Sequence, residues 1–391
     1  MEAKNEKITL MYDFLKELGG LERVMFFQAN ALKDYNVEMV FSHVSEKDMR
    51  IITKEFGLRQ DAKISQIGKG NNEIMQYIYS FLFPSRIRRI KTGIMISNSF
   101  MTSRMAYSKK KKYGNKYMAV LHHPPNFLYS RNRKWVNNLP RLMAYLAGLI
   151  LSPVLKRADI KAVRNADVVL VSSKYTYNRI KKIYGVNPVI VYPAVSEKFV
   201  LIEREDAEKI LEKFNIEKKF ILLHGRMIKD KRPDLAVRAF SLLDKDLLLV
   251  ISGTIEEKEK IKELIRELKL EEKVKILGRV SEEELVALYN LAECFLMSAP
   301  KEDFGLTPVE AMACGTPVVA WKDNAGPEET IIDGINGFFS KPYDTNDFAD
   351  KINETLERKW DKNKIRDSVK KFSSNNIKKE FLKVIYELSH K

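Results

Sequence analysis

The residue types best suited to chemistry lie between Ala292 and Gly337, where two glutamates flank the start of a short predicted helix. Glu302 and Glu310 are separated by seven residues in the segment EDFGLTPVEAMACGTPVVA. An apolar run from Cys294 to Met297 predicts a buried strand before them, and Pro317 to Trp321 predicts another strand after them. The stretch is therefore predicted to form a strand, a loop, a short helix and a strand, with both carboxylates near the helix N-terminus.

The start of this helix has the residue pattern of an anion-binding site. Thr307 suits the N-cap, and Pro308 suits the first helical position. Free N–H groups and the helix dipole favour phosphate at such a position. The amides concerned run from Phe304 to Val309 and include those of Gly305, Leu306 and Thr307.

The carboxylates of Glu302 and Glu310 indicate which chemical group of a ligand would bind beside them. Beside a phosphate they would repel it, so Glu302 and Glu310 are better suited to binding hydroxyl groups of a sugar or a ribose. Each also has a purely structural interpretation. Glu310 lies three residues after Thr307 and can complete a capping box, and Glu302 can be a solvated loop acid. Spacing alone leaves both interpretations open.

A second strand-to-helix turn carries cations. The predicted strand Phe220 to His224 is followed by Gly225 and Arg226, and Lys231 precedes a helix that Pro233 opens. Cations at such a turn can hold a diphosphate leaving group. In a protein this basic, a pair of surface cations is the simpler explanation.

Two features of the first half also point to ligand binding. Gly19 and Gly20 separate a predicted first strand from a predicted helix, where backbone amides can approach phosphate or where the chain simply turns tightly. His122 directly follows the predicted strand Tyr117 to Leu121, at an end where parallel sheets bind ligands. A core or turn histidine is the alternative, and His123 is the other candidate side chain.

The charge of the chain is unevenly distributed. The net charge is +16, yet residues 1–195 contain 33 Lys and Arg against 14 Asp and Glu, which is +19. The remaining 35 basic and 38 acidic residues sum to −3. No acidic residue occurs between Arg86 and Arg157, and Lys109–Lys112 is expected to be a solvated run. Such asymmetry is typical of a domain with an anionic partner.

Composition limits the class of protein. A length of 391 residues suggests two or three domains. The two cysteines, Cys294 and Cys314, are too few for a disulfide framework, and no signal-peptide pattern begins the chain, so a cytoplasmic protein is expected. Because no histidines cluster with these cysteines, no metal site is expected. The apolar stretch Leu142 to Leu155 has about 14 residues, fewer than the roughly 20 that span a bilayer.

Alternating strand and helix patterns predict an α/β protein with two doubly wound parallel sheets. Within the first half, the apolar residues from Ile64 to Leu82 have helical spacing. The predicted segments are 1–195, 196–370 and a last helix within 371–391. That helix carries an apolar stripe of Ile377, Phe381, Ile385 and Leu388.

Taken together, the motifs resemble the signature of family-four retaining glycosyltransferases, over nearly the whole chain. The motifs, in chain order, are Gly19-Gly20-Leu21-Glu22-Arg23, His122-His123-Pro124-Pro125, Gly225-Arg226 with Lys231, and Glu302 with Glu310. The resemblance implies the GT-B arrangement, in which two Rossmann-like domains enclose a cleft. Residues 1–195 would bind the acceptor, residues 196–370 the nucleotide sugar, and the last helix would cross back to the first domain.

The same resemblance implies roles for individual residues. Arg226 and Lys231 would stabilise the leaving diphosphate, and Glu310 would hold the ribose. Glu302 would bind the transferred sugar and stabilise its oxocarbenium character, and His122 would orient that sugar. The other donor-binding residues implied are Gly19, Gly20, Gly225, Val280, Phe304, Gly305, Leu306 and Thr307.

The implied function is retaining transfer of a hexose from a nucleoside-diphosphate sugar to a glycan or lipid-linked acceptor, without a metal or other cofactor. The segment EDFGLTPVEA and Lys231-Arg232, where many members have glycine at the second position, favour GDP-mannose and a mannosyltransferase-like subgroup. The basic first half predicts peripheral contact with an anionic membrane surface on its inner face. Two alternatives are a nucleotide-sugar epimerase of similar fold and a basic nucleic-acid-binding protein, but the latter lacks any recognisable RNA- or DNA-reading motif.

Overall fold

The structure, a computed structural model, describes residues 6–14, 20–43, 63–67, 82–129, 139–256 and 258–390, and only the backbone at 14, 43, 126–127 and 139–151. The chain divides into two compact units. The first comprises Met1–Tyr192 and Lys378–Lys391, and the second comprises Pro193–Ile377.

The first unit is built on a parallel sheet with the order β3-β2-β1-β4-β5-β6-β7. Its strands are β1 (Lys7–Phe14), β2 (Asn36–His43), β3 (Lys63–Gln66), β4 (Ile94–Ser97), β5 (Lys116–Leu121), β6 (Val168–Val171) and β7 (Val189–Ile190). Its described helices are α1 (Gly20–Ala31), α2 (Phe100–Tyr113), α3 (Asn126–Tyr129), α4 (Leu139–Arg164) and α5 (Lys174–Tyr184).

Local sequence explains where the first unit's helices begin and end. Ser99 and Ser173 cap α2 and α5, and each side chain accepts a hydrogen bond from the backbone N–H three residues further on. Gly114 and Gly185 end the same helices in the left-handed conformation. Because β4 and β6 are buried along their whole length, polar side chains that could meet a ligand lie in the loops that follow the strands.

The second unit is built on a parallel sheet with the order β10-β9-β8-β11-β12-β13. Its strands are β8 (Phe220–His224), β9 (Leu248–Ser252), β10 (Val274–Gly278), β11 (Phe295–Met297), β12 (Val318–Trp321) and β13 (Gly337–Ser340). Its helices are α6 (Arg204–Leu211), α7 (Pro233–Ser241), α8 (Lys258–Glu267), α9 (Glu282–Leu291), α10 (Leu306–Ala313), α11 (Thr345–Glu357) and α12 (Lys362–Ser368). The predicted pair of parallel sheets is therefore confirmed.

The last helix, α13 (Ser374–His390), buries the predicted apolar stripe. Its residues from Lys378 onward belong to the first unit. There the ammonium group of Lys116 donates a 3.0 Å hydrogen bond to the carbonyl of Ser389, which ties the helix to β5. No helix in the described part of the chain is both long and apolar enough to cross a membrane.

The helical prediction that started at Ile64 is wrong at its beginning. Residues Lys63–Gln66 pair in parallel with β2 as strand β3. A short apolar segment does not distinguish a strand from a helix by periodicity alone, and here the open edge of β2 decided the outcome. Residues 68–81 of that predicted helix lie outside the described residues.

Lys109 also departs from the prediction of a solvated lysine run. It is buried, and its ammonium group donates to the carbonyls of Ile87 and Ile90. Both carbonyls lie at the C-terminal end of the 3-10 helix Pro84–Arg89, where the N–H of Ile90 also donates to the carbonyl of Ile87 over 3.0 Å. Burial lowers the pKa of Lys109. This lysine therefore has a structural role.

Candidate functional site

The sheet of the second unit reverses its strand order between the neighbouring strands β8 and β11. From β8 the chain adds β9 and β10 on one side, and from β11 it adds β12 and β13 on the other. Open α/β sheets bind ligands at such a reversal, outside the carboxyl ends of the strands. The loops that follow β8 and β11 contain Arg226, Lys231 and Glu302. Motif spacing and topology thus select the same place.

Glycines set the backbone of the loop after β8. Gly225 has a φ of 140°, and a Cβ there would meet no atom within 4 Å, so open space lies beside it. A Cβ on Gly253 would lie 2.0 Å from the carbonyl oxygen of Gly225. Gly253 also donates its N–H to the carbonyl of Gly278 over 2.6 Å. The loops after β8, β9 and β10 are therefore held together, with Val280 half-buried in the last of them.

Lys231 ends the 3-10 turn Lys229–Lys231, and Arg232 alone separates it from α7. Its carbonyl accepts a 3.2 Å hydrogen bond from the hydroxyl of Ser298, which joins the loop after β8 to the loop after β11. The next residue, Arg232, is left-handed with a φ of 49°, a conformation that glycine adopts more easily. Two 2.8 Å hydrogen bonds from its guanidinium to Asp234 hold it there.

The loop after β11 is held by residues that follow β12. Lys301, with a φ of 50°, donates its N–H to the carboxylate of Asp323 over 2.7 Å. Gly326 donates its N–H to the carbonyl of Glu302 over 2.8 Å. A Cβ on Gly326 would lie 2.4 Å from the Cα of Phe304, so any larger residue would displace the loop.

Helix α10 begins differently from the prediction. Gly305 occupies the N-cap with a φ of 84°, and Thr307 lies in the first turn. The predicted N-cap at Thr307 and the capping box with Glu310 are therefore wrong, because glycine alone tolerates this left-handed turn easily. Since Gly305 has no side chain to cap the helix, the first N–H groups of α10 suit an anion.

Glu310 is buried one turn into α10. Its carboxylate accepts a hydrogen bond from the hydroxyl of Tyr289 over 3.4 Å. The ring of Tyr289 also packs against His224 at the end of β8, with centroids 6.1 Å apart. Sequence reasoning missed Tyr289, because an aromatic residue in the apolar pattern of α9 is indistinguishable from a core residue.

An ion pair connects the two loops. The ammonium group of Lys231 contacts the carboxylate of Glu302, and the two side chains are 34% and 19% exposed. The interpretation of Glu302 as a solvated loop acid is therefore wrong. An ion pair this accessible contributes only about 0–1 kcal/mol to stability. Because an ammonium group has three N–H donors, Lys231 can bind a second anion while it contacts Glu302.

His122 lies directly after β5 in the first unit and is 9% exposed. Its Nε2 has no hydrogen-bond partner among the described residues. Burial, with a smaller contribution from His123, lowers the pKa of His122 to about 3, so the imidazole is neutral at physiological pH. His123 is exposed, and its Nδ1 lies 3.0 Å from the carbonyl of Pro124. Burial and an unused nitrogen favour His122 of the two.

This environment predicts how stability depends on pH. An unfolded chain protonates His122 below about pH 6.5 while the native imidazole stays neutral, so stability is lost as the pH falls from there towards about 3. By pH 5 the loss is about 2 kcal/mol. Urea unfolding at pH 7.5 and pH 5 should show a smaller decrease for His122→Gln than for the native protein. Equal decreases in both would contradict a buried neutral imidazole.

The segment after His122 is anchored by a carboxylate that sequence reasoning missed. Asp159 of α4 is buried and accepts hydrogen bonds from the hydroxyls of Tyr129 and Tyr184, each 2.7 Å long. The two tyrosine rings pack edge to face, with centroids 5.8 Å apart. Asp159 therefore holds α3 to α4 and α5. The sequence marks Asp159 in one way: it is the first acidic residue after the span that contains no Asp or Glu.

The remaining predicted residues are placed as follows. Gly20 is the exposed first residue of α1, whereas Gly19 lies outside the described residues. Cys294 and Cys314 are free and buried, and burial raises the pKa of both thiols. Across the described ranges, no three His, Cys, Asp or Glu side chains form a group that could hold a metal ion.

Residues 205–378 match the family model described as "Glycosyl transferases group 1". Mannosylfructose-phosphate synthase of Agrobacterium fabrum is 30% identical over 201 residues, which are 48% of this chain and 44% of that protein. The N-acetylgalactosamine-N,N'-diacetylbacillosaminyl-diphospho-undecaprenol 4-alpha-N-acetylgalactosaminyltransferase of Campylobacter jejuni is 30% identical over 227 residues, 56% of this chain and 60% of that protein. The chain thus spans about half the length of these curated relatives.

Solved structures resemble the chain over almost its full length. The crystal structure of Anabaena HepE in complex with UDP has a TM-score of 0.77 at 17% identity, and it covers 97% of this chain and 100% of HepE. The fold is therefore of the GT-B class. The part of the chain that matches the group 1 glycosyltransferase model contains Arg226, Lys231, Glu302 and Glu310.

Proposed function

We propose that this protein is a retaining glycosyltransferase that moves a hexose from a nucleoside-diphosphate sugar to a hydroxyl group of a glycan or lipid-linked acceptor. The observation that carries the proposal is the contact between Lys231 and Glu302 at the strand-order reversal of the second unit. A cation for a diphosphate and a carboxylate for sugar hydroxyls are side by side there. The family match over the same residues favours a transferase over an epimerase. The basic first half is the only argument for nucleic acid binding, and its sequence has no recognisable RNA- or DNA-reading motif.

The reaction breaks the bond between the anomeric carbon and the diphosphate oxygen. It forms a bond from that carbon to the acceptor oxygen on the same face, and the acceptor proton passes to the departing phosphate. Arg226, Lys231 and the first N–H groups of α10 stabilise the negative charge that develops on the diphosphate. Glu302 binds the sugar hydroxyls and stabilises positive charge on the ring, and Glu310 binds the ribose.

The first unit supplies the remaining functions in this proposal. It binds the acceptor, and Gly19 and Gly20 are proposed to contribute to donor binding. His122 contacts a hydroxyl group of the transferred sugar. A neutral imidazole suits this contact because it carries one donor and one acceptor nitrogen.

A thermal-shift screen tests the function directly. The native protein is titrated with GDP-mannose, UDP-glucose and, as a negative control, AMP, and consumption of each nucleotide sugar is measured. A bound donor at 100 times its dissociation constant adds about 2.7 kcal/mol of stability. We expect GDP-mannose to give the largest shift. If no nucleotide sugar stabilises the protein or is consumed, the proposed function is wrong.

Support for mannose comes from the segment EDFGLTPVEA, from Lys231-Arg232, and from the name of the Agrobacterium relative. The HepE structures contain UDP and UDP-glucose. If UDP-glucose raises the melting temperature more than GDP-mannose does, glucose replaces mannose as the proposed transferred sugar, and the proposal of a glycosyltransferase is unchanged.

Turnover is expected to be independent of divalent metal. Side-chain cations and backbone N–H groups supply the positive charge that a metal ion supplies in other transferases. Activity measured with and without EDTA should agree within a factor of two or so. Complete loss in EDTA, restored by magnesium or manganese, would refute this part of the proposal.

The first unit is also proposed to contact an anionic membrane, where a lipid-linked acceptor would lie. Large apolar side chains are exposed within or beside the acid-free span, next to clustered Arg and Lys: Leu82 (60%), Phe83 (48%), Tyr113 (54%) and Val154 (61%). Basic residues near an anionic leaflet contribute about 1 kcal/mol each, and apolar side chains add shallow insertion. The name of the Campylobacter relative includes a diphospho-undecaprenol acceptor.

Sedimentation with liposomes tests this contact. The native protein should sediment with anionic vesicles at low salt, less at high salt, and not with neutral vesicles. Replacing both Leu82 and Phe83 with serine should weaken binding. The control Leu242→Ser, at an equally exposed site of the second unit, should not. Failure to bind anionic vesicles at low salt would rule the contact out.

A further inference from the structure

Polar side chains with unused hydrogen-bonding atoms lie at the carboxyl edge of the first unit's sheet. Asp13 lies near the end of β1, Asn98 directly follows β4, and His122 directly follows β5. These three strands are neighbours, and the strand order reverses between β1 and β4. This edge is the counterpart of the reversal in the second unit, and open α/β sheets bind ligands at such places.

Asn98 is the most informative of the three residues. It is 3% exposed, and neither its amide nitrogen nor its amide oxygen has a hydrogen-bond partner among the described residues. Only its backbone is used, since its N–H donates to the carbonyl of Met11 over 3.0 Å. Burying an amide without partners costs free energy, so native proteins rarely retain one without a reason.

Asn115 shows what a structural asparagine looks like in the same sheet. It lies at the opposite edge, directly before β5, and its amide nitrogen donates to the carbonyls of Thr92 and Gly93 over 2.8 and 3.3 Å. Those bonds tie the chain before β4 to the chain before β5. The side chain of Asn98 makes no comparable tie within the described part of the chain.

The chemistry of this edge identifies the class of ligand. The amide of Asn98 and the neutral imidazole of His122 each combine a donor with an acceptor, as a hydroxyl group does. Asp13 adds a carboxyl group. One of its oxygens is enclosed without a partner among the described residues, while the group accepts hydrogen bonds from Ser99 and the N–H groups of Met101 and Thr102. No cation is among the three, so hydroxyl groups fit better than phosphate.

We propose that the Asn98 side chain binds a hydroxyl group of a carbohydrate at this edge of the first unit. The inference rests on the proposed function, which supplies two sources of that hydroxyl: the transferred sugar and the acceptor. In either case Asn98 touches the substrate, and its buried amide gains the partners that it lacks among the described residues.

Stability and activity should respond in opposite ways to Asn98→Leu. Because the replacement removes a buried amide without partners among the described residues, the melting temperature should stay equal or rise. Because it also removes a contact with the substrate, the rate at which the nucleotide sugar is consumed should fall roughly tenfold or more. In the control Asn115→Leu the melting temperature should fall and the rate per folded molecule should stay unchanged. If Asn98→Leu does not fold because leucine does not fit the site, Asn98→Ala replaces it in both the melting-temperature comparison and the activity measurement, and thermal shift with the nucleoside diphosphate confirms an intact second unit.

Two arms distinguish the source of the hydroxyl. Slow hydrolysis of GDP-mannose and UDP-glucose in water, without acceptor, reports on the transferred sugar alone. Saturation-transfer NMR measures the binding of methyl α-mannoside and methyl α-glucoside in the presence of saturating nucleoside diphosphate. This binding reports on the acceptor side. Loss of hydrolysis assigns Asn98 to the transferred sugar. Retained hydrolysis with lost glycoside binding assigns it to the acceptor.

The proposal is overturned if Asn98→Leu lowers the melting temperature as Asn115→Leu does, since Asn98 is then structural. It is equally overturned if both hydrolysis and glycoside binding are unchanged. A native protein that consumes no nucleotide sugar refutes the proposed function instead. The melting temperatures of the two variants would then still decide whether Asn98 is structural.

Discussion

Replacing Lys231 or Arg226 with alanine should lower turnover by roughly two to three orders of magnitude, because each removes a charge partner of the leaving diphosphate. Both residues follow β8 at the strand-order reversal, and Lys231 is held there by the hydrogen bond from Ser298 to its carbonyl. The measurement is kcat and kcat/KM with the preferred nucleotide sugar. Lys229→Ala is the matched control, since Lys229 is an exposed lysine of the same turn.

The contact between Lys231 and Glu302 requires one further variant. If Lys231 acts only by holding Glu302, the combination Lys231→Ala with Glu302→Gln should be no slower than the slower single variant. If it also binds the diphosphate, the double variant should be slower than either, and the affinity for the nucleoside diphosphate should fall in Lys231→Ala but not in Glu302→Gln. Near-normal kinetics in both Arg226→Ala and Lys231→Ala would refute the leaving-group assignment.

Glu302→Gln and Glu310→Gln should differ in which constant they change. Positive charge on the sugar grows towards the transition state, so loss of the Glu302 charge should lower kcat by roughly a hundredfold and change donor affinity little. Ribose contacts exist before reaction, so Glu310→Gln should raise the dissociation constant of the nucleoside diphosphate roughly tenfold or more. Steady-state kinetics and calorimetric titration measure the two effects.

The structure restricts how the result for Glu310 can be interpreted. The capping role has been excluded, and a glutamine can still accept the hydrogen bond from Tyr289. Glu310→Gln should therefore stay folded, with a melting temperature close to that of the native protein. Unchanged nucleotide affinity in a folded Glu310→Gln protein would contradict the ribose assignment, and equal effects of the two substitutions on kcat would contradict the division of roles.

Much of the fold was predictable because its determinants are local. Strand β8 has the predicted bounds, Phe220–His224, and Pro233 opens α7 as expected. Buried parallel strands appear as short apolar runs, and Pro, Ser and Gly mark helix ends through their own backbone chemistry. The places of Arg226, Lys231 and Glu302 in the loops after two strands follow from the same local patterns, and the rule for strand-order reversals then brings those loops together.

The contacts that give the site its chemistry were decided by tertiary structure. Lys231 and Glu302 are 71 positions apart, and with 68 basic and 52 acidic residues the sequence does not indicate which charges meet. The same limit applies to the hydrogen bond from the hydroxyl of Tyr289 to Glu310 and to the N-cap of α10 at Gly305. Burial of His122 and the unpartnered amide of Asn98 depend on how many residues pack around one point, and such long-range packing leaves no periodic pattern along the chain.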